Sequence, residues 1–148
     1  MNVNQVDVLI VEDNPDDAEL TVRELKKHTK SAKFFHVKDG EEALQFIFGT
    51  GKYAEKREVS NPPGIVLLDI KMPKVSGIEV LEKIKTDTRT QLIPVVMLTS
   101  SNESPDIKRC YDLGANSYIV KPVHFGDFAS AIRSISAYWL ILNQNPTR

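Results

Sequence analysis

Short apolar runs alternate with longer amphipathic segments along the chain. The apolar runs are Val6–Val11, Lys33–Val37, Ile65–Leu68, Ile93–Leu98 and Ser117–Val120. Each has strand length and is rich in β-branched or aromatic residues. Three of them are apolar at nearly every position, the pattern of strands buried on both faces of a parallel sheet. The segments between them predict helices. Asn14 can cap a helix that starts at Pro15, with Asp16 and Asp17 in the electropositive first turn. Ala18, Val22 and Leu25 would form its core stripe. Asp39-Gly40-Glu41-Glu42 and Ser76-Gly77-Ile78-Glu79 read as capping boxes, the second leading into a stripe of Ile78, Leu81 and Ile84. Ser104-Pro105 opens a short helix carrying Ile107, Cys110 and Tyr111, which Gly114 is placed to stop. A final helix from about Phe125 shows Phe128, Ile132, Ile135, Trp139 and Leu142. This alternation predicts an α/β fold, in which right-handed crossovers make the sheet parallel and cover both its faces with helices. The polar stretch Thr50–Pro63, with Lys52, Lys56, Arg57 and Pro62-Pro63, is expected to be an exposed loop.

Composition narrows the function more than the fold. At 148 residues the chain has the size of one domain, with no room for a second of ordinary size. Its 19 Lys+Arg against 20 Asp+Glu give a net charge of −1, which removes the bulk electrostatic case for binding DNA, RNA or an anionic membrane. The single cysteine, Cys110, excludes an internal disulfide and any multi-cysteine metal site. No stretch nears the ~18 apolar residues that span a bilayer, and the N-terminus lacks the basic region of a signal peptide. A cytoplasmic protein is expected.

In an open parallel sheet, ligands bind at the carboxyl ends of the strands. Glu12 and Asp13 follow the first strand, Asp69 the third, Thr99 the fourth and Lys121 the fifth. Singly, each reads as a turn, cap or surface residue. Gathered on one edge, three carboxylates repel one another and call for a cation. Oxygen-only ligation by few carboxylates suits a hydrated Mg²⁺ or Mn²⁺.

The segments VLIVEDNPDD (8–17), LLDIKMP (67–73), VVMLTS (95–100) and YIVKP (118–122) resemble the receiver domain of two-component response regulators, over about Val6 to Ala137. The resemblance implies a flavodoxin-like five-fold βα fold with strand order 2-1-3-4-5. It also implies that Asp69 accepts a phosphoryl group from a sensor histidine kinase. Asp13 and Asp69 would ligate the metal, with the backbone carbonyl of Lys71, and Glu12 would act through metal-bound water. Lys121 would pair with the phosphoryl oxygens, Thr99 would move to hydrogen-bond them, and Tyr118 would change rotamer with it. Lys121-Pro122 would be a cis peptide. Such a chain is a phosphoacceptor switch rather than an enzyme, its chemistry limited to phosphotransfer and autodephosphorylation. The runner-up is a phosphorelay intermediate that passes the group to another histidine.

Few residues follow the fifth helix, so output is expected to be a protein contact made by the receiver's own surface, with no direct binding to DNA. Ala137 to Leu142 are consecutively apolar, more than one face can bury. Tyr138, Trp139 and Leu142 are therefore expected at an interface, in a homodimer through the fourth and fifth helices and the last strand. The long Thr50–Pro63 loop and this tail resemble the small receivers paired with bacterial phytochrome kinases, with Leu20, Val22 and Arg23 on the first helix as the kinase-docking surface. Rival chemistries fare worse. An aspartate-nucleophile phosphatase would carry a second Asp two residues after Asp69, where Lys71 stands. No Gly-rich phosphate loop follows the first strand, which argues against flavin or nucleotide binding. His28, His36 and His124 lack ligand spacing.

Overall fold

The computed structural model describes residues 2–146; Met1, Thr147 and Arg148, included in the expected 1–148 domain, lie outside the described residues. Its sheet has five strands, β1 (Val8–Val11), β2 (Phe34–Val37), β3 (Ile65–Leu68), β4 (Val95–Thr99) and β5 (Ser117–Val120), in the order β2-β1-β3-β4-β5. Every pairing is parallel. The three runs that are apolar throughout occupy the centre and are buried at every position, whereas β2 and β5 lie at the edges and are partly exposed. Strand alternation divides the core in two. Leu9, Val11, Val66, Leu68, Val95 and Met97 meet α2 (Gly40–Phe48), α3 (Gly77–Thr86) and α4 (Ser104–Asp112). Val8, Ile10, Ile65, Leu67, Val96 and Leu98 meet α1 (Pro15–His28) and α5 (Phe125–Ile135).

The start signals act as their chemistry dictates. Asn14 Oδ1 accepts the amides of Asp16 and Asp17 at 2.9 and 3.1 Å. Asp39 caps α2 through Glu42 N at 2.8 Å, and Ser76 caps α3 through Glu79 N at 3.3 Å. Cys110 is fully buried on α4, while Tyr111 turns outward.

Two expectations need correction. The Thr50–Pro63 segment is not simply exposed. Tyr53 is buried and donates to Glu42 at 2.7 Å. Arg57 is only 2% exposed, stacks over the Phe46 ring at 4.3 Å and donates to the carbonyls of Phe46, Val3 and Asn61. Its guanidinium satisfies loop carbonyls that burial would otherwise strand, which a reading by polarity cannot foresee. The last helix also changes pitch. Ser136–Leu142 continues α5 as π-helix, with Asn143 N bonded to Tyr138 O at 2.7 Å. Wider i→i+5 turns displace the stripe. Trp139 and Leu140 face the core and Leu142 is 68% exposed. No helix among the described residues is long and apolar enough to cross a membrane.

Candidate functional site

The carboxyl ends of β1, β3, β4 and β5 converge on one crevice. Glu12 and Asp69 are buried there and Asp13 is exposed at its mouth, and one oxygen from each lies within 4.8 Å of the other two. Asp69 Oδ1 accepts the Ile70 amide at 2.7 Å, leaving Oδ2 toward Lys121 Nζ at 3.3 Å. Glu12 is fixed twice: Oε2 accepts Asn14 N at 3.1 Å, and its carbonyl lies 2.6 Å from His36 Nε2. Its Oε1 accepts a short bond from Lys121.

Lys121 reaches this point through a trans bond to Pro122, since no described peptide is cis. The expected cis bond is thus absent. Trans is the favoured isomer by about 0.5–1 kcal/mol, and the side chain enters the crevice without the exception. Burial pushes the Glu12 carboxyl up to about 7, against the pull of the Lys121 hydrogen bond. Burial alone would lower Lys121; the Glu12 hydrogen bond and the Asp69 charge hold it above its usual value instead.

Thr99 is buried at the end of β4, where its Oγ1 accepts Ser101 N at 3.4 Å. Tyr118 OH donates to Ser101 O at 2.8 Å, and Ser101 Oγ donates to Asp106 on α4 at 2.6 Å. The β4–α4 loop is therefore held by side chains rather than by a sheet. Lys71 follows Asp69 in the β3–α3 loop with its side chain exposed. Three residues on, Lys74 takes a φ of 68°, a conformation few non-glycine residues adopt, while its ammonium pairs with Asp39 at 3.7 Å and Glu41 at 3.6 Å. Tyr138, Trp139 and Leu142 do not join the crevice. Trp139 lines a hollow with Asp7, Gly64 and Ile65 at the opposite ends of the strands.

One member of the site was not foreseen. Asp17 Oδ2 accepts from Lys121 at 3.0 Å. Its place in the first helical turn suggested only a charge for the helix end. The available signal was geometric: side chains of a helix lean toward its N-terminus, which here opens on the crevice.

The profile described as "Response regulator receiver domain" matches residues 8–133. The chain belongs to that family. This receiver is 37% identical over 142 residues to the probable methanogenesis regulatory protein FilR2 of Methanothrix harundinacea, covering 94% of this chain and 86% of the relative. It is 35% identical over 133 residues to response regulator Rcp1 of Synechocystis, covering 90% and 88% respectively. The receiver superimposes on a crystal structure of the Mn²⁺-bound form of Rcp1 with a TM-score of 0.87 and 32% identity, over 94% of this chain and 97% of that one. For the phosphorylated cyanobacterial phytochrome response regulator RcpA the TM-score is 0.87 and the identity 34%, over 94% and 96%. It is a receiver of the two-component response regulators, built on their flavodoxin-like fold.

Proposed function

We propose that Asp69 is the phosphoacceptor of this receiver, taking a phosphoryl group from a sensor histidine kinase. The observation that carries this is Asp69 itself, a buried strand-end carboxylate with Oδ2 facing the Lys121 ammonium at 3.3 Å beside the Glu12–Asp13 pair. The donor set fits a hydrated Mg²⁺ or Mn²⁺: the acceptors are all oxygen, and three carboxylates share a crevice in which Lys121 brings a single positive charge. Asp13, Asp69 and the carbonyl of Lys71 would hold it, with Glu12 reaching it through water. When bound, the metal supplies Lewis-acid neutralisation of the charge that gathers at the phosphoryl group. Rcp1 is a relative with a Mn²⁺-bound structure.

Around that metal the chain's own groups have distinct parts. The Ile70 amide fixes Asp69 Oδ1 so that the other oxygen faces the crevice. Lys121 keeps its proton and donates hydrogen bonds to phosphoryl oxygens. Thr99 turns its hydroxyl toward them, and Tyr118 follows by giving up its bond to Ser101. This couples a new charge to the α4–β5 surface. Such a receiver is a phosphoacceptor switch whose mark is erased by hydrolysis. Incubation with Mg²⁺ and acetyl phosphate is expected to add one phosphoryl group by intact-protein mass. An unmodified chain that also fails to bind beryllofluoride would overturn the reading.

The partners follow from the surface. Similarity to the phytochrome response regulator RcpA supports a phytochrome-type kinase as the donor. Beside the crevice, Ala18, Val22, Arg23, Lys26 and His36 line an open groove suited to a helix of that kinase. Tyr111, Val120, Val123 and Phe125 are exposed on the face of α4, β5 and α5, and Tyr138 and Leu142 extend it along the tail. That face supports a homodimer. Sedimentation is expected to show dimers that beryllofluoride strengthens; a monomer at high concentration with and without it would refute them.

A further inference from the structure

Phosphoryl binding by Lys121 does not require Asp17, yet Asp17 holds the same ammonium. Lysine has three N–H donors, and here three carboxylates take them: Glu12, Asp17 at 3.0 Å and Asp69 at 3.3 Å. Phosphorylation frees the donor that Asp69 Oδ2 holds, since that oxygen becomes the ester oxygen, so one phosphoryl oxygen can take its place and a second must displace Glu12 or Asp17. The Glu12 side chain is 6% exposed, so it cannot trade Lys121 for water cheaply. Asp17 is 34% exposed and can be hydrated as soon as it is released. Its backbone is fixed by the Asn14 cap on one side and by Thr21 Oγ1, which donates to Asp17 O at 2.7 Å, on the other. The exchange thus moves Lys121 and leaves α1 in place.

We propose that Asp17 is a positioning residue that tethers Lys121 in the resting receiver and is the partner given up when Asp69 is phosphorylated. The inference rests on Asp69 being the phosphoacceptor. With acetyl phosphate as donor, a bond forms between phosphorus and an Asp69 carboxylate oxygen. The bond from phosphorus to the acetate oxygen breaks, and its electron pair leaves on acetate. The product carries nearly two negative charges close to Asp17, and their repulsion adds to the cost of keeping the tether. Breaking it beforehand speeds phosphorylation and tightens binding of an anionic mimic.

The test compares wild type, Asp17→Asn, Asp17→Glu and Asp16→Asn at saturating Mg²⁺. Asp16 shares the first helical turn, but no bond from it to Lys121 is seen, so its variant matches the loss of helix-end charge. Two readouts are taken: the rate of the intact-mass increment with acetyl phosphate, and beryllofluoride affinity by fluorine NMR. Asp17→Asn is expected to gain about three- to fivefold in both, the worth of one partly exposed ion pair. Asp17→Glu should return toward wild type and Asp16→Asn should match it. In a Lys121→Met background the Asn gain should vanish. A gain that persists there would make Asp17 a through-space field rather than a tether. Asp17→Asn no faster than wild type would overturn the tether alone, whereas an unmodified wild type would remove the phosphoacceptor reading and the tether together.

Discussion

Asp69→Asn is expected to abolish the phosphoryl adduct completely while leaving the fold intact. The substitution keeps the shape of the side chain, and Oδ1 can still accept the Ile70 amide. What it removes is the anionic oxygen proposed to attack phosphorus, and an amide nitrogen is no substitute nucleophile. It also thins a crowded set of carboxylates, so the metal-free variant should be at least as stable as wild type. Metal removal then becomes informative. A ligand at about 100 times its dissociation constant stabilises the folded state by about 2.7 kcal/mol. For a chain of this size that is roughly 5–10 °C in the thermal midpoint. Wild type should lose that increment on chelation of Mg²⁺, and Asp69→Asn should have little to lose. An adduct that survives in the Asp69→Asn variant would place the nucleophile elsewhere, with Asp13 the next candidate.

Gly77→Ala is expected to be the most damaging small change in the molecule. A Cβ at that position would sit 1.8 Å from the carbonyl oxygen of Asp69, inside any tolerable contact. The neighbour is backbone and cannot rotate away. Gly77 N also donates to Ile70 O at 2.8 Å, which binds the start of α3 to the residue after Asp69. Relief requires α3 to withdraw from β3. Overpacking of this kind costs typically 1–3 kcal/mol and more when backbone is involved, so a loss of about 3 kcal/mol or greater is expected. Thermal unfolding should fall by roughly 6–12 °C. Phosphorylation should also slow, because the shift is transmitted directly to Asp69. A melt within a degree of wild type would show that α3 has slack the packing does not suggest. Gly40 has the same logic at one remove, its Cβ falling 2.0 Å from Val75 O in the loop that follows Asp69.

Neither glycine contact was visible in the sequence, where both residues read only as parts of capping boxes. A cap is local, whereas the contact depends on how helix and strand meet. The elements themselves were legible because burial writes them in periodicity: the central strands are apolar throughout and α3 carries its stripe at helical spacing. Glu12, Asp13, Asp69, Thr99 and Lys121 converge because each stands at a strand end and a parallel sheet aligns those ends. Asp17 escaped because it sits in a helix and is brought in by the direction of a side chain. Arg57 escaped because charge was equated with exposure. The Leu142 stripe failed where the helix changed pitch, which no pattern built on α-helical spacing can register.

The two rims of the sheet are finished differently. At the amino ends of the strands, side chains bond to backbone: Arg57 to three carbonyls, Asn145 to Gly64 O, and Lys85 to Gln91 O and Ile93 O. At the carboxyl ends side chains bond backbone as well, but there they include the carboxylates of Glu12 and Asp69 and the hydroxyls of Thr99 and Tyr118, which a new anion can rearrange. Local opening free energies should differ accordingly, with backbone amides of the lower rim released only by global unfolding and those of the upper rim by small excursions. A receiver built this way lets chemical energy delivered at one end be spent on loop geometry, with the other end serving as a fixed abutment.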